Sequence, residues 1–271
     1  MEADHDDLAV ALELADVADA ITRERFLAAD LRVDTKPDMT PVTEADIAVE
    51  RALRDRLGTA RPTDTVLGEE FGESDETPSG RRWIIDPIDG TKNFVRGIPV
   101  WATLIALEGG DGLTLGVASA PALNRRWWAS RGAGAHVDDG TAGPPRRLRV
   151  SAVAELSDAQ LSLSGLHDWE AFERLDSAIE LARRCWRTRA FGDFWHYMLV
   201  AEGAVDVAVE PIVSLWDLAA PLVIVEEAGG RFTDLGGTPT AAGGDAIATN
   251  GLVHEAALAI VGRAPRGPAA G

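Results

Sequence analysis

The chain predicts a layered α/β fold, on three observations. Apolar residues recur at helical spacing over the first sixty positions; between 65 and 120 they gather into short runs bounded by Gly, Pro and Asp; after 150, strand-like and helix-like pieces alternate. Alternation of this kind is what packed layers of helix and sheet require. At 271 residues, 46% of them hydrophobic, the chain is long enough for one large domain or two small ones with a real core.

Residues 8–27 place Leu8, Leu12, Ala15, Ala18, Ile21 and Phe26 at helical spacing, and a second helix starting after Thr43 carries Ile47, Leu53 and Leu57. The intervening LRVDTKPDMTP is rich in Pro, Asp and Thr and reads as an exposed turn or short ribbon that delivers Lys36 to the surface. TVLG (65–68), WIID (83–86), VWATLIAL (100–107) and LTLGVASA (113–120) have the length and flanks of strands, with FGESDETPSG (71–80) a polar, mobile connection. GTAGPPRR (140–147) reads as a seam between a first half, 1–145, and a second, 146–262, and 263–271 has the composition of a disordered tail. Beyond the seam come AQLSLS, the helix-like WEAFERLDSAIELARR, WRTRAF, FWHYMLVAEG, AVDVAVE, LWDLAAPLVIVEEAGG, GRFTDL and DAIATN, then a last helix near 252–262.

Composition narrows the function classes. The chain carries 44 Asp and Glu against 26 Lys and Arg, a formal charge of −18, which repels a phosphate backbone, so no nucleic-acid partner is expected. The lone Cys185 excludes an internal disulfide and every Cys-based zinc pattern, and within LARRCW it reads as buried filler rather than a nucleophile. No apolar run reaches the ~18 residues of a membrane span. The acidic start MEADHDDLAV lacks the basic and apolar regions of a signal peptide, so a cytoplasmic protein without a membrane partner is expected.

The most informative stretch is WIIDPIDGTKNF (83–94), where an apolar strand ends in Asp86, turns through Pro87 and offers Asp89, Gly90 and Thr91 before a helix. Gly90 lets the backbone approach a ligand closely, and the N–H groups of Gly90 and Thr91 are placed to donate to an anion. Two carboxylates beside those donors would repel a phosphate unless they hold Mg²⁺, a hard cation that shares its oxygen shell with phosphate. The competing reading is a turn in which Asp and Gly only supply shape. LGEEFGE places Glu69 and Glu70 at another strand end, and SLWDLAAP places Asp217 three residues after Ser214. Ser214 with Asp217, like Thr43 with Asp46, has capping-box spacing, so on local logic alone both aspartates cap helices. Pro221 has no N–H for the carbonyl of residue 217, so the helix is expected to kink or start late where Asp217 points.

GEE (68–70), WIIDPIDGTKNF (83–94) and WDLAAPLVIVEEAGG (216–230), in this order and at these separations, resemble the inositol monophosphatase family of metal-dependent phosphatases. DTKPDMTPVTEAD (34–46) and RAFGDFW (189–195) extend the likeness over most of the chain. DGTKNFVRGIPVWATLIAL and FGDFWHYMLVAEGAVDVAVEP resemble more particularly the histidinol-phosphatase branch found in actinobacteria. The resemblance implies an α-β-α-β-α sandwich whose halves meet at the metals, and a homodimer. It implies that Glu69, Asp86 and the carbonyl of Ile88 hold one Mg²⁺, that Asp86, Asp89 and Asp217 hold a second, and that a third can be recruited near Glu69. It further implies that Thr91, paired with Asp46, orients and helps deprotonate the attacking water, with Glu69 also catalytic, in a direct in-line hydrolysis. None of the five histidines forms an HxxxH or RHG pattern, which agrees with the absence of a phospho-enzyme; His5 and His254 read as surface residues, and His136, His167 and His196 as loop or packing residues.

Matching the family's substrate segment points to Gly192, Asp193 and Phe194, with Glu210, beside Glu69, Asp89, Gly90, Thr91 and Asp217. Asp193 adds a carboxylate where inositol-selective relatives are small or hydroxylic. A neutral polyol does not reward a second desolvated negative charge, whereas an amino alcohol with an ammonium and an imidazole does, through charge-assisted hydrogen bonds. The expected reaction is therefore hydrolysis of L-histidinol phosphate in histidine biosynthesis. Inositol monophosphate or another small phosphate ester, and a catalytically silent metal- or phosphometabolite-binding protein, are the alternatives. Trp101, Phe194 and Trp195 offer aromatic faces to an imidazole if they are not core. The competing reading of Asp193 is a surface helix N-terminus, and the roles of Lys36, Arg187 and Arg189 stay open.

Overall fold

Thr43 caps the second helix as its spacing to Asp46 predicts: its hydroxyl accepts from the amides of Ala45 and Asp46, and the Asp46 side chain accepts from the Thr43 amide. The computed structural model describes residues 2–37, 40–74 and 79–262; the expected tail at 263–271 and residues 75–78 of the expected mobile connection lie outside them. Its elements are α1 (Glu2–Arg25), β1 (Val33–Thr35), β2 (Pro41–Thr43), α2 (Glu44–Ala60), β3 (Thr65–Gly68), β4 (Gly72–Glu73), β5 (Arg82–Asp89), α3 (Thr91–Val95), β6 (Ala102–Gly109), β7 (Gly112–Ala120), β8 (Arg125–Ser130), β9 (Gly134–Asp138) and β10 (Arg146–Arg147). They continue with β11 (Gln160–Leu163), α4 (Leu166–Ala171), α5 (Leu175–Arg184), β12 (Arg187–Arg189), α6 (Asp193–Ala201), β13 (Val207–Glu210), α7 (Leu215–Glu227), β14 (Arg231–Thr233), β15 (Ala246–Thr249) and α8 (His254–Val261).

Strands β1 and β2 form a two-stranded ribbon. An eight-stranded sheet runs β10-β9-β8-β7-β6-β5-β3-β4, antiparallel except for the β3–β5 pair, and a five-stranded sheet runs β12-β11-β13-β15-β14. Alternation along the central strands assigns the faces. Trp83, Ile85, Ile105, Leu107, Leu115 and Val117 pack beneath α1 and α2, whereas Ile84, Leu104, Ala106, Ala118 and Ala120 face α6 and α7. The second sheet closes the other side of α6 and α7, and α5 and α8 cover its far face through a separate core of Leu161, Val207, Val209, Ile247, Leu181 and Val261. The layers are therefore α-β-α-β-α.

The middle helices lie close to the first sheet because that face is built from small residues. A Cβ on Gly116 would stand 2.5 Å from the carbonyl oxygen of Ala220 on α7. Contrary to the kink expected at Pro221, α7 is continuous from Leu215 to Glu227. Leu218 to Val225 are all buried between the two sheets, and packing of two full turns outweighs one missing backbone hydrogen bond.

Three other expectations are revised. The first helix ends at Arg25, and Leu27 takes a left-handed φ of 65°. WEAFERLDSAIELARR is two helices, broken where Glu173 adopts φ 56° and Arg174 turns to donate to the Val261 carbonyl. Part of FGESDETPSG is strand, since Gly72 and Glu73 pair with β3. Cys185 is buried, and its thiol is pushed up to about 11 by that burial, as suits packing rather than nucleophilic chemistry.

Candidate active site

In a regular strand, residues three apart point to opposite faces, so Asp86 and Asp89 could not share a ligand. The register of β5 against β6 shifts between them: Asp86 pairs with Leu104, while Asp89 pairs with Ala102. This bulge holds Pro87, which has no N–H to give the ladder, and one extra residue re-aims Asp89 to the side of Asp86. Thr103 secures it by donating to the Pro87 carbonyl at 2.8 Å, and the Ile88 amide donates to Asp86 Oδ1 at 3.0 Å. Gly90 then turns at φ 82°, where a Cβ would stand 2.9 Å from the Val100 carbonyl.

Asp217 reaches the same place from the first turn of α7, where it also accepts from the Ser214 amide at 2.8 Å. One oxygen from each of Asp86, Asp89 and Asp217 lies within 4.8 Å of the others. Burial pushes the Asp86 and Asp89 carboxyls well above the usual range. Repulsion adds to this, from Glu69, Asp89 and Asp217 at Asp86, and from Asp193 and Asp217 at Asp89. Asp217 is pushed up to about 7, first by burial, with Glu69 and Glu210 adding to it. Converging, desolvated carboxylates that destabilise one another are a donor set that fits a divalent cation, which reverses each of those penalties.

Glu69 follows β3 and is not one of the three convergent carboxylates; its Oε1 accepts from Lys36 at 2.7 Å. Lys36 also bonds Glu70 at 2.8 Å, so the ribbon delivers it to this acidic edge. Glu70 is pushed up to about 7, mainly by burial. The turn is held from below by Glu50 on α2, fully buried, which accepts from the amides of Glu70 and Phe71 and from Arg54. Gly68 makes the approach feasible, since a Cβ there would fall 2.1 Å from Glu50 Oε1. Asp46 lies beneath: Oδ2 accepts from the Thr43 amide and hydroxyl, Oδ1 is 3.4 Å from the Thr91 hydroxyl, and burial pushes the carboxyl up to about 6. Thr91 Oγ1 is also 3.0 Å from the Ile88 carbonyl.

On the opposite side Gly192, at φ 69°, opens α6, and the Phe194 amide donates to Asp89 Oδ2 at 2.6 Å. Asp193 is half-buried and accepts from Asn93 at 2.7 Å across 100 positions of sequence, so it is no solvated helix end. Its carboxyl is pushed up to about 6 by burial and by Glu210, which sits at the end of β13.

Several expected roles change. Trp101 is fully buried against Phe26 and Phe94, and Phe194 is buried against Trp127, so neither ring faces a ligand. Phe194 contributes its amide instead. Arg187 and Arg189 are exposed on the edge strand β12. His254, expected at the surface, is buried between Thr233 and Thr249, and burial pushes it down to about 4. The side chain of His5 lies outside the described residues, His167 is exposed, and His136 stacks on Trp128. Glu50, Asn93 and Tyr197 were not singled out in the sequence, and His196 was read only as a loop or packing residue; the local signal available was the i, i+4 pair of Glu50 and Arg54.

The sequence matches the inositol monophosphatase family over residues 4–265, so the chain belongs to that family of metal-dependent phosphatases, and its three convergent carboxylates form a group able to hold an ion. A protein named histidinol-phosphatase from Mycobacterium tuberculosis is 60% identical over 255 residues, spanning 94% of this chain and 97% of the relative. Another so named, from Streptomyces coelicolor, is 56% identical, spanning 93% of this chain and 96% of the relative. Among solved structures, an inositol monophosphatase from Zymomonas mobilis superposes with a TM-score of 0.82 at 32% identity, covering 95% of this chain and 98% of its own. Among the described residues no helix is long and apolar enough to cross a membrane.

Proposed function

We propose that the chain hydrolyses L-histidinol phosphate to L-histidinol and inorganic phosphate, with two Mg²⁺ ions held by Glu69, Asp86, Asp89, Asp217 and the Ile88 carbonyl, and room for a third near Glu69. The observation that carries the substrate is the second acidic pair, Asp193 and Glu210, set beside the three convergent carboxylates. A cation in the alcohol portion of the ester is what relieves it. The names of the M. tuberculosis and S. coelicolor relatives support the same reading.

When bound, the ions lower the pKa of the attacking water and neutralise charge on the phosphate and departing alcohol oxygens. The chain's own residues supply position and proton transfer. Thr43 occupies Asp46 Oδ2, which leaves Oδ1 for the Thr91 hydroxyl proton. Thr91 Oγ1 then accepts from the water and sets it in line with the ester bond. Asp46, raised to about 6, is basic enough to accept a proton near neutrality without holding it too firmly. The amides of Gly90 and Thr91 seat the phosphate, Gly192 leaves space for the alcohol portion, and Phe194 fixes Asp89 through its amide. Asp193 and Glu210 receive the ammonium.

A cytoplasmic homodimer serving histidine biosynthesis completes the reading, supported by the family resemblance and the single buried thiol. Phosphate release from L-histidinol phosphate by the metal-stripped protein tests it. Turnover should appear on adding Mg²⁺ and vanish with a chelator, and failure at every Mg²⁺ concentration refutes the assignment.

A further inference from the structure

Glu210 enters the proposed function as half of the receptor for the substrate's cation, yet one of its two oxygens is already engaged. Tyr197 donates its hydroxyl to Glu210 Oε2 at 2.7 Å, and His196 Nε2 lies 3.3 Å from the same oxygen. Among the described residues no donor bonds Oε1. Asp193, His196 and Tyr197 are spaced i, i+3, i+4 on α6 and so share the helix face turned toward Glu210.

His196 is fully buried, and Nε2 has no aligned hydrogen-bond acceptor. Its tautomer follows from the neighbours. Glu210 Oε2, already an acceptor for Tyr197, faces Nε2 and calls for a hydrogen there, while Ser162 Oγ, which accepts from the Phe191 amide at 3.2 Å, still has its own proton to give to Nδ1 at 3.4 Å. Nδ1 is then the acceptor, and the ring hydrogen sits on Nε2, facing Glu210. Nε2 is thus an unpaired buried donor 3.3 Å from Glu210 Oε2, and a buried polar group in that position calls for a partner.

We propose that His196, seconded by Tyr197, is a specificity-determining positioning residue that holds Glu210 by Oε2 and so presents Oε1 to a cationic group on the substrate. The inference rests on the reading of the substrate as an amino-alcohol phosphate. His196 touches neither phosphate nor reacting water; it acts through Glu210. Its loss is therefore felt in binding of a cationic ester and not in the hydrolytic step.

The test compares L-histidinol phosphate with glycerol 2-phosphate under saturating Mg²⁺. His196→Phe, which keeps the volume and removes the donor, should raise KM for histidinol phosphate by about tenfold or more, the scale of a lost hydrogen bond to a charged group. The kcat for that ester and KM for glycerol 2-phosphate should move less than about threefold, because neither depends on the contact between Glu210 and a cation. His196→Gln, which can place an N–H where Nε2 was, should restore most of the loss. In a Glu210→Gln background, His196→Phe should add less than about twofold, because coupled residues are not additive. Equal effects on both esters, or an undiminished effect once Glu210 is Gln, overturns the proposal. Should His196→Phe fail to fold by its melting curve, Tyr197→Phe, which deletes one oxygen, carries the same expectation and the same refutation. A wild-type enzyme with no preference for histidinol phosphate removes the functional reading first; a preference that survives in the variants removes only the role of His196.

Discussion

Replacing Asp193 by Asn separates the chemistry of the metal centre from recognition of the substrate. The amide oxygen can still accept from Asn93, now at 2.7 Å, so the start of α6 and the Phe194 amide on Asp89 should stay in place. What is lost is one negative charge on a half-buried group. A unit charge pair at about 4 Å is worth about 4 kcal/mol at an effective dielectric of 20, and a hydrogen bond to a charged group about 1.5–3 kcal/mol. With solvent still reaching the side chain, a loss of about 2 kcal/mol follows, or roughly 30-fold in kcat/KM. Steady-state phosphate release from L-histidinol phosphate and from glycerol 2-phosphate measures it. The first should fall by that factor, while the neutral ester changes little or improves, since removing the charge also relieves Asp89. Equal losses on both esters would refute the argument for a cationic substrate.

Stability of the metal-free protein should fall as pH rises. Asp46 and Asp193 are raised to about 6, Glu70 and Asp217 to about 7, and burial with mutual repulsion holds Asp86 and Asp89 well above the usual carboxylate range. Each group keeps its proton in the folded state after the unfolded chain has released it, so its contribution is full below about pH 4 and is lost through pH 6–7 and above. Melting curves at pH 5, 6.5 and 8 in chelator should show the decline, and Mg²⁺ should offset it most at pH 8; a flat profile without a Mg²⁺ effect contradicts the cluster. Asp89→Asn should stabilise the chelated protein at pH 8 by about 1 kcal/mol or more while lowering turnover by roughly 10²-fold or more; calorimetry and kinetics together check the opposite signs. Gly116→Ala should destabilise by about 1–3 kcal/mol, because its Cβ would meet the backbone of Ala220, and it should raise the Mg²⁺ concentration needed for activity by displacing the helix that carries Asp217.

Much of the site was legible because its parts end local motifs. Asp86 and Asp89 stand at a strand end beside Pro87, and Asp46 and Asp217 complete capping boxes. The capping reading was right for both, but a carboxylate has two oxygens and four lone-pair directions, so capping a helix does not use it up. Asp46 gives Oδ2 to its cap and keeps Oδ1 for Thr91. The supporting residues were not legible, because their partners are distant in sequence: Glu50 with Glu70, Asn93 with Asp193, His196 with Ser162. The aromatic residues misled for a related reason. Phe194 follows Asp193 directly and Trp101 lies ten residues after Thr91, yet both rings are buried, Trp101 against Phe26 and Phe94 and Phe194 against Trp127. Pro221 marked a helix defect by local rules, and burial on both sides of α7 overrode it.

The central claim is that a metal-dependent phosphatase centre has been fitted with an acidic receptor for a cationic alcohol. Competition tests it most directly: L-histidinol phosphate and inositol 1-phosphate offered together to the wild-type protein with Mg²⁺, with both product alcohols followed in time. The account predicts that histidinol forms first, with a ratio of kcat/KM of roughly a hundredfold, about 2.7 kcal/mol of differential transition-state binding. Parallel consumption of the two esters would contradict it.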